Sequence, residues 1–153
     1  MRIITGLFKG AKLKTLKGDS VRPTSDRVKE SVFSILDNLF KVSDFEFEAI
    51  KNKKVLDLFA GTGNLGLESL SRGASSITFV DKNTLSLKVL KDNIESLKIK
   101  DKYQVIKSDS VKFIDRNTDQ FDLIFLDPPY HKDFVKNILN KIDKNEILSI
   151  NGI

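Results

Sequence analysis

The stretch 55–66 reads Val-Leu-Asp-Leu-Phe-Ala-Gly-Thr-Gly-Asn-Leu-Gly, an apolar run that leads into three glycines and then into a helical pattern. A strand that opens through a glycine turn onto a helix N-terminus binds anionic or nucleotide-like ligands. Gly61, Gly63 and Gly66 have the spacing of the dinucleotide fingerprint, and Asp81 follows Gly61 by about 20 positions, as that fingerprint requires. The stretch therefore predicts a nucleotide cofactor but leaves two classes of cofactor open.

From residue 54 onward, strand patterns alternate with helix patterns, which predicts a doubly wound, mostly parallel α/β sheet with right-handed crossovers. The predicted strands are 54–59, 76–80, 103–107 and 121–126, and the predicted helices are 64–72, 84–98, 110–116 and 132–142. Ligands of such sheets bind outside the carboxyl ends of the strands. The Gly61 loop, Asp81, Asp109 and Asp127 each follow a predicted strand, so we expect them to converge on one site.

The N-terminal residues precede this alternation. Residues 2–6 and 10–18 predict two short strands around a glycine-bounded turn, and the second strand alternates apolar and basic residues. Its lysines, Lys12 and Lys14 with nearby Lys17, fit either a solvated edge strand or a hairpin that contacts phosphates. From this segment alone the edge strand is the simpler interpretation.

A helix is predicted after Pro23, with a cap at Thr24 or Ser25. Helical spacing predicts that its core-facing side consists of Val28, Val32, Ile35, Leu36 and Leu39. A polar cluster stands at its start, formed by Arg22, Thr24, Asp26 and Arg27. Helix capping alone explains such a cluster in most chains, so these residues by themselves leave a functional role open.

The composition bounds the class of protein. A chain of 153 residues, 40% of them hydrophobic and 31% charged, is typical of one globular domain with its own core. The sequence contains no cysteine and one histidine, His131, which excludes disulfides, thiolate zinc sites and sites that need several imidazoles. No apolar run approaches the ~20 residues of a membrane span, so we expect a cytoplasmic protein. A net charge of +5 and a pI near 9.3 modestly favour a polyanionic partner.

The turn Asp127-Pro128-Pro129-Tyr130 indicates which chemistry the site performs. Two prolines after a buried strand remove two backbone donors and fix the turn, while the Asp127 carboxylate and the Pro128 carbonyl remain as rigid acceptors. Two such acceptors fit the N–H bonds of the exocyclic amine of a base, and Tyr130 offers a flat surface for stacking. Holding both N–H groups aims the nitrogen lone pair at an electrophile, without a metal or a covalent enzyme intermediate. A tight turn with a capping aspartate is the plainer alternative.

These motifs resemble those of the S-adenosylmethionine-dependent methyltransferases with a Rossmann-like sheet. The segment 57–63, Asp-Leu-Phe-Ala-Gly-Thr-Gly, is similar to their first motif, which has an acidic residue in the strand and Phe-Ala before the glycines. The resemblance implies that S-adenosyl-L-methionine lies along the Gly61–Gly63 loop, that Asp81 binds the ribose hydroxyls and that Asp109 and Ser110 border the adenine. The implied cofactor-binding residues are Arg22, Thr24, Asp57, Phe59, Ala60, Gly61, Thr62, Gly63, Gly66, Asp81, Lys82, Asp109 and Ser110, and the implied catalytic residues are Asp127, Pro128, Pro129 and Tyr130.

The resemblance narrows to the bacterial methyltransferases that act on guanine-N2 of 16S ribosomal RNA. It rests on the opening Met-Arg-Ile-Ile-Thr-Gly, on the Arg-Pro-Thr-Ser-Asp-Arg helix start, on Gly-Leu-Glu-Ser-Leu-Ser-Arg-Gly-Ala at 66–74 and on Phe-Leu-Asp-Pro-Pro-Tyr at 125–130. It implies that the Arg22–Arg27 region closes over the cofactor and that the hairpin contacts RNA. The implied RNA-binding residues are Lys9, Lys12, Lys14, Arg22 and Arg27. We further expect a monomer that needs no metal and acts on ribosomal RNA or a small-subunit assembly particle.

One departure and three alternatives stay open. Family members extend a few tens of residues further, whereas this chain stops while entering a fifth strand of the predicted sheet. The departure predicts a single domain with an N-terminal hairpin and helix (1–40) and a Rossmann-like core (54–153) truncated at its C-terminal end. The alternatives are an adenine-N6 nucleic-acid methyltransferase, a truncated RNA-binding relative with little activity, and a nicotinamide-dependent oxidoreductase. The last of these rests only on the glycine spacing and Asp81.

Overall fold

The computed structural model describes residues 1–16, 26–39, 49–128 and 132–153. The helices in these ranges are α1 (Asp26–Leu39), α2 (Asn64–Ser71), α3 (Thr84–Ser96), α4 (Ser110–Arg116) and α5 (Lys132–Lys144). The strands are β1 (Lys54–Asp57), β2 (Ser76–Asp81), β3 (Tyr103–Lys107) and β4 (Leu123–Phe125). From residue 54 onward the elements follow the predicted order, with ends that differ by a few residues. None of these helices combines the length and the apolarity that crossing a bilayer requires.

The described strands form one parallel sheet in the order β3-β2-β1-β4. In this sheet Leu56 of β1 lies opposite Thr78 of β2 on one side and Ile124 of β4 on the other. The chain winds outward from β1 through β2 and β3, and then returns to place β4 on the opposite side of β1. This reversal between β1 and β4 is the topological switch point at which doubly wound sheets bind ligands. The predicted parallel α/β fold is confirmed.

Both faces of the sheet are covered by helices because successive strand residues point into two apolar clusters. Val55, Ile77 and Phe79 belong to the cluster that α1, α2 and α3 cover. Leu56 and Val80 belong to the cluster that α4 and α5 cover. Full burial of one such side chain contributes about 1.5–3 kcal/mol, so both clusters stabilise the sheet that carries the strand ends. Burial on two faces also explains why the strands read as continuous apolar runs in the sequence.

Helix α1 packs through a different face from the predicted one. Its buried side chains are Lys29, Phe33 and Leu36. The prediction is confirmed for Leu36, and Val32 is partly buried, but it is wrong for the three side chains that are 52%, 58% and 62% exposed, namely Val28, Ile35 and Leu39. The inward face is set by Lys29, whose ammonium lies 3.1 Å from the buried Glu68 carboxylate of α2. Hydrophobic spacing counts lysine as a surface residue, so it cannot detect this face.

Residues 1–16 form an N-terminal arm in which strand-like pairing is limited to one antiparallel bridge, between Arg2 and Lys12. The amide of Ile3 donates to the Ala11 carbonyl at 2.9 Å, and the side chains of Ile3 and Leu13 are buried in the cluster beneath α1 and α2. The end of the second predicted strand, with Lys17, lies outside the described residues. Within residues 1–16 the predicted hairpin is therefore present as two paired segments but not as two regular strands.

The reason is that residues 4–8 turn away from the hairpin and bind α2. The amides of Ile4 and Thr5 donate to the two carboxylate oxygens of Glu68 at 2.8 and 3.0 Å. The amides of residues 7 and 8 donate to the carbonyl and the hydroxyl of Ser71. Gly6 has a φ of +84°, and a Cβ there would stand 1.8 Å from the Ser71 carbonyl oxygen, so this close approach requires glycine.

The outer edge of β4 is bonded to residues 147–153. Phe121 forms a parallel bridge with Leu148, and the amide of Ile124 donates to the Ile153 carbonyl at 2.9 Å. Strand β4 begins at Leu123 and not at the predicted residue 121, because Phe121 pairs outside the regular ladder. These bonds satisfy part of the edge that β4 presents.

Candidate nucleotide-binding site

The glycine loop, residues 58–63, leaves the carboxyl end of β1 and ends at the first turn of α2. The amide of Leu58 donates to the Phe125 carbonyl at 3.1 Å, and that of Ala60 donates to the Val80 carbonyl at 3.0 Å. The loop is thus fixed to strands on both sides of β1. Regular pairing of β1 stops at Asp57, earlier than predicted, because the chain then turns toward α2 and the amide of Gly63 closes on the Ala60 carbonyl at 2.8 Å.

The two loop glycines have different surroundings. Gly61 has a φ of +53° and Gly63 a φ of +91°, which is the left-handed region that glycine adopts at no steric cost. A Cβ on Gly63 would lie 2.3 Å from the Leu90 side chain, whereas a Cβ on Gly61 would meet nothing within 4 Å. Gly63 is therefore required by packing, and Gly61 faces open space where a ligand can approach the backbone.

Asp81 at the end of β2 holds this loop. Its Oδ2 accepts from the Gly61 amide at 2.7 Å, and its Oδ1 accepts from the Asn83 amide at 2.8 Å. Each carboxylate oxygen has two lone pairs, so Asp81 can still accept two further hydrogen bonds, as the hydroxyls of a ribose would offer. Lys82, the next predicted residue, is exposed.

Asp57 lies buried beneath the loop, where its Oδ2 accepts from the Gly66 amide at 3.1 Å. The pKa of the Asp57 carboxyl is raised to about 7, chiefly by burial and also by the nearby charges of Asp81 and Asp127, although the amides of Gly66 and Phe59 oppose the shift. Gly66 is buried as well, and a Cβ there would stand 2.2 Å from the Phe79 ring. Asp57 and Gly66 therefore support the glycine loop from the buried side.

The end of β3 contributes Asp109 and Ser110 to the site. The Asp109 carboxylate caps α4 by accepting from the amides of Val111 and Lys112 at 3.0 and 3.2 Å. The next residue, Ser110, is buried, and its hydroxyl is the one buried side-chain polar atom in the described part of the chain that has no hydrogen-bond partner. A buried hydroxyl without a partner is costly, so Ser110 fits a place where a ligand supplies the missing bond.

The end of β4 contributes Asp127 and Pro128 to the site. Asp127 is exposed and Pro128 is partly buried. Phe59 of the glycine loop meets the ring of Phe134 on α5 edge-on, with 6.0 Å between ring centroids. An apolar pair therefore lies between the loop and the helix that follows the Asp127 turn. Pro129 and Tyr130 lie outside the described residues.

The structure thus brings together most of the predicted cofactor residues at one end of the sheet. Besides the residues above, Ala60 and Thr62 are buried within the loop. Arg22 and Thr24, predicted to cover the cofactor, lie outside the described residues. Among the residues that the structure describes, no three His, Asp or Glu side chains are grouped so that they could hold a metal ion.

Of the five predicted RNA contacts, Arg22 lies outside the described residues, and the other four lie on the arm and at the start of α1. Lys9, Lys12 and Lys14 are exposed, as is Arg27. An ion pair of 3.3 Å between Arg2 and Asp26 joins the arm to the first turn of α1, and this places Arg27 beside the arm. The Nζ of Lys14 also lies 3.5 Å from the Oδ2 of Asp92 on α3.

Sequence reasoning missed three buried polar residues that hold these parts together: Lys29, Glu68 and Asn93. Each has an accessible fraction of 0%. The available signal was a charged or amide residue inside an apolar stripe, as with Glu68 between Leu67 and Leu70. That signal marks burial but does not reveal the partner, which in each case lies far away in sequence.

The chain matches, over residues 1–153, the family model described as Conserved hypothetical protein 95. The chain belongs to this family. YlbH of Bacillus subtilis is 37% identical over 99% of this chain and 79% of YlbH. Ribosomal RNA small subunit methyltransferase D of Haemophilus influenzae is 36% identical over 100% of this chain and 76% of that protein. The resemblance seen in the motifs is therefore confirmed.

A solved structure agrees with the fold. The Escherichia coli protein yhhF superimposes with a TM-score of 0.80 at 32% identity, and the match covers 95% of this chain and 73% of that chain. This likeness supports the α/β fold described above.

Proposed function

We propose that this protein transfers a methyl group from S-adenosyl-L-methionine to the exocyclic N2 amine of a guanine in small-subunit ribosomal RNA. The observation that carries the proposal is that the glycine loop, Asp81, Ser110 and Asp127 all lie at the carboxyl ends of the parallel strands. The name of the Haemophilus influenzae relative supports the substrate class. Family membership favours this cofactor over a nicotinamide dinucleotide, which would leave Asp127 and its prolines without a role.

The residues present fit the cofactor. The open space above Gly61 lets a ligand approach the backbone, and Asp81 retains acceptors for two ribose hydroxyls. The buried Ser110 hydroxyl needs a partner, and the adenine edge offers nitrogen donors and acceptors. Asp57 and Gly66 hold the loop from below.

When bound, the cofactor supplies an electrophilic methyl group on a sulfonium, and the protein positions the amine that attacks it. The Asp127 carboxylate and the Pro128 carbonyl accept the two N–H bonds of the guanine amine, which directs the nitrogen lone pair toward the loop. The proton is released to water after transfer, so the reaction needs no general base. The family motif assigns the stacking of the base to Tyr130, which lies with Pro129 outside the described residues.

The RNA approaches from the side of the arm. Lys9, Lys12, Lys14 and Arg27 present four exposed cations there, and contacts of this kind to phosphates position the RNA without reading its sequence. The family resemblance also assigns Arg22 and Thr24 to covering the cofactor, although both lie outside the described residues. The protein acts as a monomer in the cytoplasm.

The test is methyl transfer from radiolabelled S-adenosylmethionine to unmodified 16S ribosomal RNA, offered both free and within small-subunit particles, followed by nucleoside analysis. We expect N2-methylguanosine in at least one of the two substrates. The variant Asp127→Asn should lower kcat about 100-fold with little change in affinity for S-adenosylhomocysteine, while the exposed Asp119→Asn, in the loop before β4, should leave both unchanged. Methyl transfer only to adenine-N6 of DNA would contradict the proposed substrate. A folded chain that does not bind S-adenosylhomocysteine would contradict the proposed cofactor.

A further inference from the structure

The side chain of Asn93 on α3 joins the N-terminal arm to the glycine loop. Its Oδ1 accepts from the Lys14 amide at 2.8 Å. Its Nδ2 donates to the Lys14 carbonyl at 3.1 Å and to the Thr62 carbonyl at 3.0 Å. The side chain is completely buried, so every polar atom of this amide is used between two segments that are remote from it in sequence.

These partners fix the orientation of the Asn93 amide. Its oxygen must face the Lys14 N–H and its nitrogen the two carbonyls, because a flipped amide would set donor against donor and acceptor against acceptor. A displacement of Lys14 would therefore leave buried polar groups unsatisfied unless the amide turned, and a turn would release the Thr62 carbonyl. The arm and the loop cannot shift independently.

A second link, through Lys29, runs parallel to the first. Its ammonium donates to the Arg2 carbonyl at 2.5 Å and to Asn64 Oδ1 at 2.9 Å, and it pairs with Glu68 at 3.1 Å. Asn93 thus holds Thr62, and Lys29 holds Asn64, the residues directly before and after Gly63. Both segments of the arm are tied to the same turn of the glycine loop.

We infer that these links couple RNA binding on the arm to cofactor binding in the glycine loop, with Asn93 as the positioning residue. The inference rests on the proposed function for the two ligands, and it adds their mutual dependence. RNA phosphates bound at Lys9, Lys12 and Lys14 restrict the arm, the Asn93 amide restricts the Thr62 carbonyl, and the loop is held in the conformation that binds cofactor. By linkage, the cofactor strengthens RNA binding by the same factor.

The measurement is the dissociation constant of S-adenosylhomocysteine, obtained calorimetrically without RNA and with a saturating amount of the 16S ribosomal RNA substrate, free or in particles, that accepts methyl. For the unaltered chain we expect RNA to tighten binding about fivefold or more. In Asn93→Ala the ratio of the dissociation constants measured without and with RNA should lie within twofold of one. Asn145→Ala, which removes an exposed asparagine of the same size from the turn after α5, should keep it.

A pair of variants at Lys14 tests the link from the arm without replacing a buried side chain. Lys14→Ala removes the exposed side chain but keeps the backbone bonds to Asn93, so RNA affinity should fall while the ratio stays. Lys14→Pro also removes the N–H that donates to Asn93, so the ratio should fall as well. This pair decides the question if Asn93→Ala does not fold.

The outcomes separate the inference from the function on which it rests. If both ligands bind the unaltered chain and the ratio is one, the coupling is refuted while the methyltransferase function stands. The coupling is also refuted if folded Asn93→Ala keeps the ratio, or if the two Lys14 variants have equal ratios. If neither RNA form accepts a methyl group, or S-adenosylhomocysteine does not bind, the proposed function itself is refuted.

Discussion

The glycine loop and the N-terminal arm are the two surfaces that the proposed function uses, and they are held in place by different interactions. The loop is anchored by main-chain hydrogen bonds to strands on both sides of β1, and the strands rest on two apolar clusters. The arm is anchored largely by buried polar side chains, namely Lys29, Glu68, Ser71 and Asn93.

This contrast predicts which single substitutions affect stability and which affect ligand binding. Many apolar side chains share the support of the loop, so a change at its surface should alter ligand binding more than stability. The arm depends on a few groups that each make several bonds, and removal of one leaves the others buried without partners. The arm should therefore be the region in which one substitution costs the most stability.

The largest expected effect is at Glu68. Its carboxylate accepts hydrogen bonds from the amides of Ile4 and Thr5 and forms ion pairs with Lys29 and Arg72. Glu68→Ala leaves the Lys29 charge buried without its counter-charge, so we expect the free energy of unfolding to fall by about 3–5 kcal/mol. Urea denaturation measures it. The exposed Glu95→Ala on α3 is the matched control and should stay within about 0.5 kcal/mol.

A loss at Glu68→Ala that is no larger than the loss at the control would contradict the contrast between the two regions. It would mean that water or a rearranged arm replaces the carboxylate at little cost.

The next effect separates the two glycines of the loop. Gly61→Ala places a methyl group in open space, so we expect S-adenosylhomocysteine to bind at least about tenfold more weakly, while the left-handed backbone costs about 1–2 kcal/mol of stability. Gly63→Ala drives a methyl group into Leu90, so its urea midpoint should fall further. Calorimetry and urea denaturation of both variants measure the two quantities. Equal affinities for Gly61→Ala and the unaltered chain would show that the ligand does not approach this face of the loop.

The last prediction concerns how stability changes with pH because of Asp57. Because burial raises its folded pKa to about 7, the folded state binds a proton between the ordinary pKa of aspartate and 7 that the unfolded state has released. This group therefore makes stability fall as pH rises through that window, by less than about 1.4 kcal/mol per pH unit. Asp57→Asn lacks this loss, so its stability relative to the unaltered chain should increase from pH 5 to pH 7 and then level off. Urea denaturation across this range checks it, and a difference that does not change with pH would show an ordinary carboxyl.

The alternating elements, their order and the parallel sheet could be predicted from the sequence alone, and the strand ends were predicted to within a few residues. These follow from local signals, because apolar runs, helical periodicity and turn residues act over a few neighbouring positions. The convergence of the Gly61 loop, Asp81, Asp109 and Asp127 also followed, since parallel strands place their carboxyl ends at one edge of the sheet. The family resemblance came from the same local motifs.

Three features could not be predicted without the folded structure: the buried face of α1, the binding of the arm to α2 and the link from Lys14 through Asn93 to Thr62. Each depends on a polar group whose partner lies far along the chain, and neither spacing nor propensity encodes such a pairing. A buried charge or amide is stable only where the fold brings its counterpart to hydrogen-bonding distance. In this protein the local sequence determined the elements and their order, and the distant polar partners determined how the arm is joined to them.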